Sequence, residues 1–147
     1  MTFSTPEKFV QPVLQYDSKT KRYTLMVPYT FEWIHRNRLT RLICPAGFNY
    51  DKASVPRLLW SLARPDGPWE AASLFHDRFY QFKGNLPVGD CQVYHDGDWE
   101  NMTAPWTRKH VDQLFLEMGK LAGINRWIAL KYYLAVRCWP LNWFNGF

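Results

Sequence analysis

The sequence predicts an α+β fold: a small N-terminal antiparallel β-meander followed by a cluster of about four helices. Three observations predict it. Apolar residues alternate at period two through Tyr23, Leu25, Val27, Tyr29, Phe31 and Trp33, the pattern of a half-buried strand. Later in the chain the spacing changes to that of a helix, as at Val111, Leu114, Phe115, Met118 and Leu121. Between those helical runs stand residues that cap or stop helices. The chain has 147 residues, 47% of them hydrophobic, which fits one domain with its own core. Residues 1–50 form its β-rich part, and residues 51–147 its helical part with a hairpin insert at 86–106.

The first strand is expected at Val13–Tyr16, followed by the polar turn Asp17-Ser18-Lys19-Thr20-Lys21-Arg22. The alternating run comes next. Pro28 interrupts it, so an edge position or a break is expected there. A third strand is expected at Leu39–Cys44, before the turn Pro45-Ala46-Gly47. Ser54 can cap a short helix over Val55–Ala63, with Pro56 in its first turn where a missing N–H costs little. Arg64-Pro65-Asp66-Gly67-Pro68 stops it. The next helix runs from about Trp69 to Phe82 and ends at Gly84. Within the insert, Val93-Tyr94-His95 and Asp98-Trp99-Glu100 flank Asp96-Gly97, a hairpin signal. Thr107 caps a helix from Arg108 to Leu121, closed by Gly123. Asn125 caps the last helix, Arg126–Cys138, which Pro140 stops.

Net charge is +5, with the basic residues scattered rather than in a block, so nucleic acid is not the expected partner. Cys44, Cys91 and Cys138 are odd in number and far apart. That pattern argues against a disulfide framework or a zinc knuckle and for reduced thiols in a cytosolic setting. Residues 1–10 lack the long apolar run of a signal peptide, and no stretch approaches a membrane span. The protein is expected to stay in the cytoplasm, or to leave it by assembly or lysis. Aromatic residues reach 18%, more than a core of this size needs, so at least one docking surface is expected. Its candidates are Trp99 and Trp106 in the insert and Trp139, Trp143 and Phe144 in the tail.

The candidate chemistry lies in LFHDRFY, residues 74–80. Helical spacing puts Ala72, Phe75, His76 and Phe79 on one inward stripe, so His76 needs a polar partner there. Asp112 flanks the inward stripe of the 108–121 helix. If the two helices pack antiparallel, Asp112 reaches His76, fixes its tautomer and raises its basicity. His76 is then a general base for water, and Asp77 can hold a divalent cation or a water. The same residues equally describe a hydrogen-bonded strut. Asp51 and Ser54, in GFNYDKASVPR, are spaced to bond neighbouring backbone in a tight connection and would shape the rim of a site. His95 and His110 read as surface residues of a hairpin and of a helix start. Asp96-Gly97-Asp98 lacks the ligand spacing of a calcium loop.

The stretch CPAGFNYDKASVPRLLWSLARPDGPWEAASLFHDRFY, then TRKHVDQLFLEMGKLAGI, then KYYLAVR, resembles a phage and prophage family known as domain of unknown function 1353. The matching positions are Asp51, Ser54, His76, Asp77, Tyr80 and Asp112. Tyr50 departs from the threonine usual before the aspartate, and the 86–106 insert is long. A local likeness to phospholipases A2, which carry H-D-x-x-Y on one helix and an aspartate on a second, adds Tyr80 to the implied catalytic set. The glycine-rich calcium loop of those enzymes is missing here. In a comparison with H…HD…D phosphohydrolases, His35 would have to be the first ligand, yet it falls in the strand region. The family resemblance implies a phage or prophage gene and supplies no activity, and the residues leave two functions to expect. One is a phage-encoded hydrolase of ester or amide bonds acting on cell-envelope material, with a divalent cation as its candidate cofactor. The other is a non-catalytic minor virion protein of tail, baseplate or capsid, in which the His-Asp pair is structural. Host cytoplasm or assembled virion is the implied location.

Overall fold

Residues 10–51 and 69–138 are described here, in a computed structural model. They form β1 (Leu14–Asp17), β2 (Arg22–Leu25), β3 (Tyr29–His35), β4 (Arg38–Cys44), β5 (Asn49–Tyr50), α1 (Glu70–Gln81), β6 (Cys91–His95), β7 (Asp98–Asn101), α2 (Arg108–Leu121) and α3 (Arg126–Cys138). The strands make two antiparallel sheets, ordered β1-β2-β5 and β3-β4-β6-β7. Seven strands in two sheets with three helices, among the described residues, replace the expected single meander followed by about four helices. Two features account for the difference. The alternating run breaks around Pro28, and its halves enter different sheets as β2 and β3. The hairpin of the insert is not an appendage, because β6 pairs with β4 and completes the second sheet. The short helix expected at 55–63 lies outside the described residues.

The second sheet carries the pattern read from the sequence. Tyr29, Phe31 and Trp33 of β3 point inward, while Thr30, Glu32 and Ile34 face solvent. Register aligns Phe31 with Leu42 and Cys91 across three strands, and Trp33 with Thr40 and Val93. These rows form the inner face. Outside, Arg41 bonds Glu32 at 2.8 Å and lies 3.7 Å over the Trp99 ring.

Both hairpins of this sheet close with two residues at positive φ, the geometry of a type I′ turn. Asp96 (φ 48°) and Gly97 (φ 90°) suit it. Arg36 (φ 50°) and Asn37 (φ 63°) join β3 to β4 instead. Arginine pays a left-handed penalty on the order of 1 kcal/mol there. Asn37→Gly, which gives that turn the preferred second residue, is expected to raise stability by about 0.5–1 kcal/mol. Urea unfolding measures it, and a lowered midpoint would contradict the turn assignment.

The core lies between this sheet and the helices. Helix α1 runs through its middle, with every residue from Ala71 to Tyr80 buried. Phe75 faces Tyr29 at 5.8 Å between ring centroids, and Phe79 faces Trp106 at 4.9 Å. A helix buried on all sides must have its polar groups met. Arg78 forms an ion pair with Asp90, and Ser73 donates to the Glu70 carbonyl at 3.0 Å. No side chain of its own caps the start of α1. The Gln11 side chain accepts from the Ala71 N–H instead, at 3.1 Å.

Helix α2 packs on α1, and α3 packs on α2. As expected, Thr107 caps α2 by accepting from the His110 N–H at 3.2 Å, and Asn125 accepts from the Trp127 N–H at 2.9 Å. Ala129, Tyr132 and Val136 form the buried stripe of α3. Trp69, just before α1, stacks on both Phe115 at 4.7 Å and Tyr132 at 4.6 Å. Gly119 on α2 lets that indole come close: a Cβ there would lie 2.5 Å from its Cζ3.

Candidate functional site

The contacts between α1 and α2 run in opposite chain directions: Tyr80 meets Arg108, His76 meets Asp112, and Trp69 meets Phe115 and Gly119. The antiparallel crossing that the sequence required is present. His76 Nε2 lies 2.8 Å from Asp112 Oδ1, and both side chains are fully buried. An ionised carboxylate only accepts, so Nε2 carries the proton and donates it. The Tyr80 hydroxyl donates to the same oxygen at 2.7 Å. Arg137 of α3 donates to Oδ2 at 3.1 Å, and Arg108 stands 3.8 Å from it. Arg108 also donates to the Tyr80 oxygen at 3.1 Å and to the Val136 carbonyl at 2.9 Å. One carboxylate therefore gathers donors from α1 and α3 into a network centred on α2.

Burial alone would push the Asp112 carboxyl up, but the bonds and charge from His76, with those from Tyr80 and Arg137, outweigh it and hold the group below the usual carboxylate range. Burial raises the Tyr80 hydroxyl, and the neighbouring Asp112 charge raises it further. The tyrosine therefore stays protonated and keeps donating. The His76 ring is packed between Tyr80 at 4.3 Å and Phe115 at 5.0 Å. Its second nitrogen, Nδ1, is buried with no hydrogen-bond partner. A neutral imidazole in this tautomer has its lone pair there, which is where a general base would act on a water. The ring lies in the core, with His76 2% exposed.

The other expected site residues are dispersed. Asp77 is buried. After burial itself, its charge is the next largest cause of the raised Tyr50 hydroxyl. Among the described residues no group of three or more His, Cys, Asp or Glu side chains could hold a metal ion, so they supply no donor set around Asp77. Asp51 is exposed and pairs with Arg22 at 3.8 Å. Ser54, Trp139, Trp143 and Phe144 lie outside the described residues. Trp106, expected on a docking surface, is 7% exposed and belongs to the core, between Phe79, Trp33 and His35. Its place in an apparently irregular insert hid that. Trp99 is half-buried under Arg41. Among the described residues, the large exposed apolar side chains on α3 are Trp127, Leu130 and Leu134.

Arg108 and Arg137 complete the cluster and were not singled out from the sequence. Arg108 had a local signal, standing four residues before Asp112 on one helix. Arg137 had only its place in the KYYLAVR stretch. Cys44 and Cys91 are free and buried, and burial pushes their thiols up to about 12 and about 11. No helix among the described residues is long and apolar enough to cross a membrane.

A family model described as "Protein of unknown function (DUF1353)" matches residues 23–136. That span includes the described sheets apart from β1 and the first residue of β2, and the whole of the His76–Asp112 cluster apart from Arg137. Neither the curated proteins nor the solved structures contain a match.

Proposed function

The chain belongs to the DUF1353 family, and from that premise and the closed His76–Asp112 cluster we propose a non-catalytic minor component of a phage or prophage assembly. One observation carries the non-catalytic part: the imidazole and carboxylate that would do chemistry are fully buried and used in holding three helices together. A catalytic base must reach substrate or water. A fully hydrogen-bonded buried carboxylate fixes the register of the helices that meet on it. The phage setting rests on the motif resemblance, and the host cytoplasm and the assembled particle are its two locations. Virion proteins are then the partners.

His76→Gln tests this reading. Glutamine can still donate to Asp112, but it vacates the space between Tyr80 and Phe115. A structural histidine predicts a loss of about 1–2 kcal/mol on unfolding in denaturant. Mass spectrometry of purified particles beside infected-cell lysate then locates the protein, and its absence from particles would remove the virion role.

The unpartnered Nδ1 favours a second reading, a hydrolase of ester or amide bonds acting on cell-envelope material. In it His76 is the base, and Asp112 and Tyr80 orient it. An unchanged unfolding midpoint in His76→Gln, together with loss of an esterase activity present in the parent protein, would establish that reading against the first.

A further inference from the structure

The tip of the β3–β4 hairpin, the β6–β7 hairpin and the start of α2 enclose a cavity of about 590 Å³, within the range of small-ligand pockets. It is separate from His76. We infer that this cavity binds a small phosphomonoester, its phosphoryl group held by Arg36, Arg38, His35 and His110.

Charge is the first argument. Two arginines and three histidines line the cavity, with Glu100 as the one acid among the described lining residues. Glu100 already faces His95, 3.4 Å from its Nδ1. Neither Arg36 nor Arg38 is paired with a carboxylate among the described residues, although Arg22, Arg41, Arg78, Arg108 and Arg137 all are. The first turn of α2 holds no acidic residue to offset the positive end of the helix. Guanidinium groups with no carboxylate partner lining a concave surface match a phosphoryl group, which they can bind with two parallel bonds.

Placement is the second. Arg36 lies 2.9 Å from His110 Nε2, and Thr107 Oγ1 lies 2.9 Å from His110 Nδ1. The His35 ring is stacked on Trp106 at 4.7 Å and meets His110 edge-on at 6.5 Å. The Trp106 stack and the Thr107 contact hold the two rings before any ligand arrives, which lowers the ordering cost of binding. Arg36 can only donate, so His110 Nε2 accepts from it in the free protein; protonation of that nitrogen on binding releases the guanidinium and leaves both groups to donate to the phosphoryl oxygens. The cavity is larger than one phosphate needs, and the rest of it takes the organic part of the ester.

Proton uptake should accompany binding. Burial lowers the His35 and His110 imidazoles, and the Arg36 charge lowers both further, with smaller contributions from His110 on His35 and from Lys109 on His110. A dianion between them opposes that shift. Arg38, His95 and Glu100 face the same space and complete the set of charged and titratable groups there. Affinity is therefore expected to rise as pH falls from neutral, until the phosphoryl group takes up its own proton near pH 6.

The test uses the full chain, with inorganic phosphate, adenosine 5′-monophosphate and a short single-stranded oligonucleotide as probes, followed through the histidine ring C–H resonances. The expected result is a saturable shift of His35 and His110 with the monophosphate, weaker with inorganic phosphate. Arg36→Gln and Arg38→Gln should each reduce affinity about tenfold, and Glu100→Gln should increase it. No saturable shift with either small probe would overturn the inference. So would equal affinity for phosphate and ester, or binding of the oligonucleotide alone.

Discussion

Asp112→Ala should destabilise the protein by about 3–5 kcal/mol, the cost of breaking a buried ion pair from one side. The substitution removes the acceptor for His76 and Tyr80 at 2.8 and 2.7 Å and for Arg137 at 3.1 Å, and it leaves Arg108 facing an empty space. His76 and Tyr80 are buried, so the groups that lose their acceptor there are left unsatisfied in the core. The same carboxylate gives the fold an acid limit. Its pKa is lowered in the folded state, so its contribution is fully present above the ordinary carboxylate range, near pH 4. It is lost as pH falls through the folded value. Asp112→Asn should therefore flatten the acid side of the stability profile as well as lower its plateau. Chemical unfolding between pH 3 and about pH 7 measures both. A loss below about 1 kcal/mol for Asp112→Ala would mean the helices are held elsewhere.

Gly119→Ala is the second large effect, and its sign is opposite to the usual one. Replacing a glycine inside a helix with alanine ordinarily gains about 1 kcal/mol. Here the new methyl would sit 2.5 and 2.7 Å from two ring carbons of Trp69. The indole is buried and stacks on both Phe115 and Tyr132, so moving it aside disturbs those contacts. Overpacking of this kind costs about 1–3 kcal/mol or somewhat more, and a net loss of about 2 kcal/mol is expected. Thermal unfolding, with tryptophan fluorescence reporting on the stack, checks it. A stabilised variant would show that α1 and α2 are not this close.

The helices were legible because their signals are local. Thr107 and Asn125 accept backbone N–H groups where their side chains can reach, and the inward stripes of α1 and α2 follow from spacing alone. His76 and Asp112 both belong to or flank those stripes, so their meeting could be anticipated. Arg137 could not, because its approach to Asp112 depends on how α3 crosses α2. The sheets were less legible for a related reason. Alternation marks Tyr23 to Trp33 as extended, but it does not say that the two sides of Pro28 join different sheets. Asp96-Gly97 announced its turn, whereas Arg36-Asn37, with equivalent backbone geometry, did not. The sealing of His76 and the burial of Trp106 are properties of the assembled core, and no run of residues encodes either one by itself.

The order in which the second sheet is assembled bears on how the chain is made. Leu42 must wait for Cys91 before β4 gains its second neighbour, and α1 is threaded between the two in sequence. During synthesis on a ribosome, β4 therefore presents a bare edge while the next half-hundred residues emerge. Such an edge invites pairing with another nascent copy. The late arrival of β6 is what ends that exposure, so the interval before it is when newly made chains are most vulnerable to misassembly.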